Sequence, residues 1–201
     1  LSESFDTFLT LLTTQLRNQD PLEPMDSSEF TNQLVQFSEV EQAISTNKQL
    51  EQLLAMQSTN QAVAAISYIG NTVEAVSDVV PLIDGQATMT YALPEKAEKA
   101  TLLIFNASGQ LVRTVEAETS AGKHTFDWDG TASDGSELPD GAYSFAIAAQ
   151  NADKDVLDVP TAVVATVTGT QTDGTTAQLL MGHVPIDLAN VISVSKPKTD
   201  A

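Results

Sequence analysis

The residues whose types could do chemistry are His124, His183 and the carboxylates of the loop Asp127-Trp128-Asp129-Gly130-Thr131-Ala132-Ser133-Asp134-Gly135. A histidine pair could move protons or hold a metal. These two are far apart in the chain, each in or near an expected strand, and neither has a second His or a Cys at ligand spacing. A site needs mutually positioned groups, so both read as structural residues. The loop offers several oxygen ligands and raises the question of Ca²⁺. It lacks the bidentate Glu at the twelfth position of an EF-hand loop and the helices that flank one. Asp-Gly pairs also make tight turns, because Gly accepts positive φ and Asp bonds its own backbone. A structural turn is the expectation, with Trp128, the single Trp, as a core ring. No Gly-x-Ser-x-Gly, phosphate loop, dinucleotide fingerprint or His-Glu-x-x-His occurs, and no nucleophile stands at informative spacing from a base. No catalytic residue, metal or cofactor is assigned, and the chain reads as non-enzymatic.

Composition narrows the partners. Nine Lys and Arg stand against 27 Asp and Glu, a net charge of -18. No basic patch can neutralise phosphates, which argues against nucleic acid, and the same repulsion disfavours an anionic membrane surface. Such acidity serves solubility, whether during export or as simple solvation of the surface. The chain has no Cys, which excludes disulfides, thiol catalysis and zinc–thiolate sites. No apolar run approaches the roughly 20 residues that span a bilayer, and no signal-peptide pattern stands at the start, which is Leu1.

The elements that must position any site fall into two regimes. Residues 1–69 contain no Gly, and their only prolines are Pro21 and Pro24, so they read as a helical arm of two helices broken at 18–26. Phe5, Phe8, Leu9, Leu12 and Leu16 recur at helical spacing before the break. In Asn18-Gln19-Asp20-Pro21-Leu22-Glu23-Pro24-Met25-Asp26 the two prolines forbid continuation, and the residues preceding them leave the α region. Asp26 or Ser27 offers the next N-cap, and Glu29 adds early negative charge. Phe30, Leu34, Phe37, Val40 and Ile44 then form a second stripe, which thins and resumes at Leu50, Leu53, Leu54 and Met56. An ordinary helical hairpin is one reading of this spacing. A long helix with so narrow a stripe is not the helix of a large core. It packs against copies of itself, against a partner helix, or on the surface of the β region.

From Gly70-Asn71 the pattern is β. Thr72–Val80 is rich in β-formers, and eight further strands are expected at 87–93, 101–106, 111–117, 124–128, 143–149, 163–167, 177–181 and 191–194. Turn dipeptides such as Asp84-Gly85, Ser108-Gly109, Asp140-Gly141 and Asp173-Gly174 separate them. Many short strands argue for a sandwich or small barrel. Residues 81–155 have the size of one sandwich, with Leu102, Ile104, Leu111, Val115, Phe126, Trp128, Tyr143, Phe145 and Ile147 facing inward. The flanks, 70–80 and 156–195, are too short to bury a core separately. The economical arrangement is one split barrel interrupted by an inserted sandwich; two consecutive domains would also accommodate the lengths.

Two stretches carry a family resemblance. The run Phe8-Leu9-Thr10-Leu11-Leu12-Thr13-Thr14-Gln15-Leu16-Arg17 through the proline joint to Asp26, continued by Ser28-Glu29-Phe30-Thr31-Asn32-Gln33-Leu34-Val35-Gln36-Phe37-Ser38-Glu39-Val40-Glu41-Gln42, resembles the N-terminal signature of bacterial flagellar hook-capping proteins, the basal-body rod modification family. The pattern Trp128-Asp129-Gly130, Gly135, Pro139, Gly141 and Tyr143 resembles the Ig-like domain of the same family. The resemblance implies a mainly β protein with an N-terminal helical region, its fibronectin-III/Ig-like sandwich inserted into a small Tudor-like barrel. It implies a non-enzymatic scaffold, exported through the flagellar type III apparatus to the distal tip of the growing hook outside the cell. There several copies cap the hook and promote assembly of exported hook subunits. The partners implied are the chain itself and hook subunits, with no small-molecule substrate, nucleic acid or membrane insertion. The two stripes and the proline joint become the expected partner surface. The export region the resemblance calls for would lie upstream of Leu1.

Two other classes compete. An adhesin or glycan-binding module would rest on the Ig-like pattern and on Trp128 as a stacking platform. A Ca²⁺-stabilised surface or accessory domain would rest on Asp127, Asp129 and Asp134.

Overall fold

A computed structural model describes Thr10, Thr13, residues 27–172 and 176–196, with the side chains of 27–31, 33 and 34 excepted. The chain divides into two units, Leu1–Gln52 and Leu53–Ala201. One helix, α1 (Ser27–Ile66), enters both. It contains no Gly or Pro and is rich in Gln, Glu, Ala and Leu, all good helix formers. Its end is a tightening of the ladder: the N–H groups of Ser67, Tyr68 and Ile69 donate to carbonyls three residues back. Gly70 then takes φ +81° and turns the chain into the first strand.

Among the described residues twelve strands follow, all paired antiparallel. One sheet has the order β12-β1-β8-β3-β6, where β1 is Thr72–Val76, β3 Ala87–Leu93, β6 Gly122–Trp128, β8 Thr161–Thr166 and β12 Val191–Ser195. A second is β2-β7-β4-β5, from β2 (Val79–Leu82), β4 (Lys99–Phe105), β5 (Leu111–Glu116) and β7 (Gly141–Gln150). A third is β11-β10-β9, from β9 (Gly169–Thr172), β10 (Ala177–Met181) and β11 (Val184–Asp187). The molecule is therefore mainly β with an N-terminal helix.

Alternation along the strands sets the core. Leu102 and Ile104 on β4, Tyr143 and Phe145 on β7, and Met89 on β3 are buried around Trp128. The same cluster takes in Val73 and Ala75 of β1, Leu179 and Met181 of β10, and Ala65 from the last turn of α1. Val115, Phe126 and Ile147 pack against it half-buried. Leu111 does not, which corrects the expected inward face. It opens β5 at the edge of its sheet, beyond a register shift between Ile104 and Phe105, and stays exposed. Two strands have no counterpart in the sequence expectations. Gly169-Thr-Gln-Thr has no apolar side chain to mark β9, and Pro185 interrupts β11, which is tolerated because β11 is an edge strand.

Glu74 links four strands of the largest sheet. Its carboxylate accepts from Lys123 Nζ on β6 at 2.7 Å and from Thr90 Oγ1 on β3 at 3.0 Å. Burial pushes the carboxyl's pKa up, but the bonds from Lys123, Thr90 and Ser193 together outweigh it and hold the group below its ordinary 4.5. A depressed folded pKa contributes stability above the unfolded value that is lost as pH falls through the folded one. Glu74→Gln should therefore lower stability near neutrality and flatten the acid limb of a stability-versus-pH curve below about pH 4.5, the two chains converging at low pH. Urea titrations at stepped pH check this.

Candidate interaction surface

The Trp-Asp-Gly loop serves as a structural corner. Trp128 is 2% exposed, meets Tyr143 edge-on with centroids 5.0 Å apart, and donates Nε1–H to the Thr131 carbonyl at 3.0 Å. A ring so covered offers no platform for a sugar. Tyr143 donates its hydroxyl to the Pro139 carbonyl at 2.8 Å. Asp140, just before Gly141, accepts from the backbone N–H groups of Asp84 and Gly85 at 2.9 and 3.1 Å, tying two turns together. Gly130 has φ +68°, and a Cβ there would sit 3.1 Å from the Gly85 carbonyl oxygen and 3.2 Å from the Leu82 methyls. Gly130→Ala should cost about 1–3 kcal/mol, read as a lowered urea midpoint. Gly135, φ +84°, faces open space, so strain there is purely of the backbone.

The carboxylates of the loop turn on their own neighbours. Asp129 Oδ1 accepts from the Thr131 hydroxyl at 2.7 Å and Asp134 Oδ1 from the Ser136 hydroxyl at 2.6 Å. These bonds, and those from the same residues' backbone N–H groups, hold both carboxyls below the usual range. Asp127 Oδ1 accepts from Thr88 across the β3–β6 pair at 2.7 Å. Among the described residues no three His, Cys, Asp or Glu side chains are gathered where a metal could bind. His124 and His183 do not meet in one element: the first is on β6, with Nε2 2.7 Å from the Ser120 carbonyl oxygen, and the second is exposed in the turn between β10 and β11.

The feature that calls for a partner is α1. In the first unit, Val35, Val40, Ile44 and Leu50 are each exposed by about half. In the second unit, Ala62 and Ala65 pack on the core, while Leu53, Leu54, Met56 and Val63 are left to solvent at 60–70% exposure. Large apolar groups in water are unfavourable by roughly 25 cal/mol per Å² left uncovered. Uncovered apolar side chains grouped on one helix make it the candidate interaction surface. Phe37, the other expected anchor here, is 38% exposed. Of the remaining expected partner residues, Phe5, Phe8, Leu9, Leu12, Leu16, Asn18, Gln19, Asp20, Pro21, Leu22, Pro24 and Met25 lie outside the described residues, as do the side chains of Phe30 and Leu34. Spacing missed the outward turn of Leu53, Met56 and Val63. The signal available for it was the pair of small residues, Ala62 and Ala65, on the other side of the helix. No described helix is long and apolar enough to cross a membrane.

Comparison with known proteins agrees with both halves of this description. Residues 1–52 match the family model described as the N-terminal region of the flagellar hook capping protein, and residues 77–153 match the FlgD Ig-like domain. The basal-body rod modification protein FlgD of Escherichia coli K12 is 37% identical over 163 residues, covering 77% of this chain and 71% of that protein. Its Salmonella typhimurium counterpart is 36% identical over 77% and 70%. A crystal structure of FlgD from Xanthomonas campestris, presented as insight into the hook capping essential for flagellar assembly, aligns with TM-score 0.58 and 26% identity over 67% of this chain and 99% of that one. FlgD from P. aeruginosa aligns with TM-score 0.54 and 23% identity over 64% and 98%, a likeness of fold alone. With a helical arm, an Ig-like domain and a relative this similar over most of both lengths, the chain belongs to the FlgD family of flagellar hook-capping proteins.

Proposed function

We propose that this chain is a scaffold that caps the distal end of the growing flagellar hook and promotes assembly of exported hook subunits, without chemistry of its own. The observation that carries the reading is a hook-capping N-terminal region that continues into a helix with uncovered Val40, Ile44 and Leu50. A cap must hold a growing end weakly and repeatedly. Small apolar anchors on a helical arm suit that better than one large fixed interface.

In this reading the two stripes and the proline joint at 18–26 form the arm, Phe30, Leu34, Phe37, Val40 and Ile44 touch neighbouring cap or hook subunits, and several copies work together. The chain acts outside the cell, at the hook tip, after passage through the flagellar export apparatus. The finer domain plan is a fibronectin-III-like sandwich at 81–155 set into a Tudor-like barrel of 70–80 and 156–195. Support for it comes from β1, which pairs on one side with β12 and on the other with β8, joining the two flanks. A cell lacking this protein should export hook subunits into the medium and build no hooks. Normal hooks in such a cell would refute the reading.

A further inference from the structure

Strand β6 forms an outer edge of the largest sheet, and its main chain is open there. Ala92 N–H donates to the Pro160 carbonyl at 3.1 Å, so the even-numbered residues of β3 bond to β8 and the odd-numbered ones to β6. Met89 pairs with Phe126 and Tyr91 with His124, which turns the N–H and C=O groups of Lys123, Thr125 and Asp127 outward. Among the described residues nothing meets those groups.

An open edge is a template for another strand, and the other edges of this molecule are blunted. At β2 the Ser77 hydroxyl donates to the Val79 carbonyl and accepts from the Val79 N–H, and Pro81 has no N–H to give. At β5 Ser133 donates its N–H to the Val112 carbonyl, and its hydroxyl oxygen accepts from the Thr114 N–H. β11 carries Pro185, the β1–β12 pairing is bulged between Glu74 and Ala75, and β9 is four residues long. β6 runs for seven residues without Pro. Its charged side chains, the usual guards of an edge, lean back over their own sheet. Lys123 Nζ donates to Glu74 at 2.7 Å, and Asp127 accepts from Thr88 at 2.7 Å.

Charge indicates what fits. Lys123 is neutralised by Glu74, whereas Asp127 has only the neutral Thr88 hydroxyl, so the edge keeps one uncompensated negative charge. A second copy would bring one chain of net charge -18 against another. A basic residue directly across from Asp127 is favoured instead. We infer that the outer edge of β6 accepts an extended segment of a different protein as an added strand, bonded main chain to main chain with Lys123, Thr125 and Asp127, and with a Lys or Arg facing Asp127. The site lies on the β unit and does not involve the exposed apolar residues of α1.

The probe is a synthetic strand of alternating Thr and Val with Lys at its centre, titrated into the full chain, and the readout is hydrogen exchange at single amides by NMR. The peptide should slow exchange at Lys123, Thr125 and Asp127 by at least about tenfold and leave His124 and Phe126, which already face β3, as they were. A matched peptide with Glu in place of Lys should need about tenfold more to do the same. Asp127→Asn, whose amide oxygen still accepts from Thr88, should abolish that preference. Thr125→Pro removes an outward N–H that the β3 ladder does not use, and should lose the protection while keeping its circular dichroism. N-methylating the peptide at the Lys and at the residues two away removes the donors aimed at β6, and should lose the protection whether or not the Pro variant folds. Equal binding of the Lys and Glu peptides, or protection that survives N-methylation, would overturn the inference. Amides of β6 that are already protected in the free chain and released on dilution would place a second copy on the edge, and overturn it equally.

Discussion

Replacing Trp128 with alanine will destabilise the β unit by about 3–5 kcal/mol, the usual cost of deleting a buried aromatic ring. Three losses add up at this position. The ring is almost wholly buried and fills the space between the two larger sheets' side chains. It meets Tyr143 edge-on, an arrangement worth roughly 0.5–1.5 kcal/mol beyond area alone. It also donates to the Thr131 carbonyl, which loses that partner. For a chain of this size the thermal midpoint should fall by roughly 10 °C or more. Circular dichroism in urea is the right readout, because Trp128 is the single Trp and its fluorescence leaves with it. A change below about 1 kcal/mol would mean the ring is not the centre of this core.

The second large effect concerns association. Val40→Asp combined with Ile44→Asp should leave folding intact, since both side chains are about half exposed already, and surface substitutions usually change stability by under about 0.5 kcal/mol. Each aliphatic anchor lost from the centre of an interface costs roughly 2 kcal/mol or more, so the pair should weaken association with hook subunits on the order of a thousandfold. Circular dichroism separates this outcome from unfolding, and a binding titration against purified hook subunits measures it. Unchanged binding in a folded double variant would move the contact surface elsewhere.

Both predictions concern residues whose environment differs in how plainly the sequence displays it. Trp128, Tyr143 and the turn glycines Gly85, Gly130 and Gly135 were legible because alternation, turn chemistry and size all point the same way there, while Asp173-Gly174 lies outside the described residues. Strand β3 matches its expected span, Ala87–Leu93, for the same reason. Strands β9 and β11 escaped because pairing with β10 stabilises them, and pairing between distant segments leaves no mark on a short polar or Pro-containing run. Leu111 looked like core because period alone cannot tell a central strand from an edge. On α1 the apolar positions were visible but not their direction, since a helix of this composition could equally lie flat on the β unit. The packing of buried Ala65 and half-buried Ala62 on the core decides that for the last turns.

The most direct measurement is made in a motile bacterium from which this protein has been deleted. Hooks are counted by electron microscopy, and hook subunit in the medium is quantified, with the full chain or its Val40→Asp/Ile44→Asp variant supplied in trans. The account predicts hooks with the full chain, and subunits in the medium without hooks for a variant that is folded and exported. Normal hook numbers with that variant would contradict it.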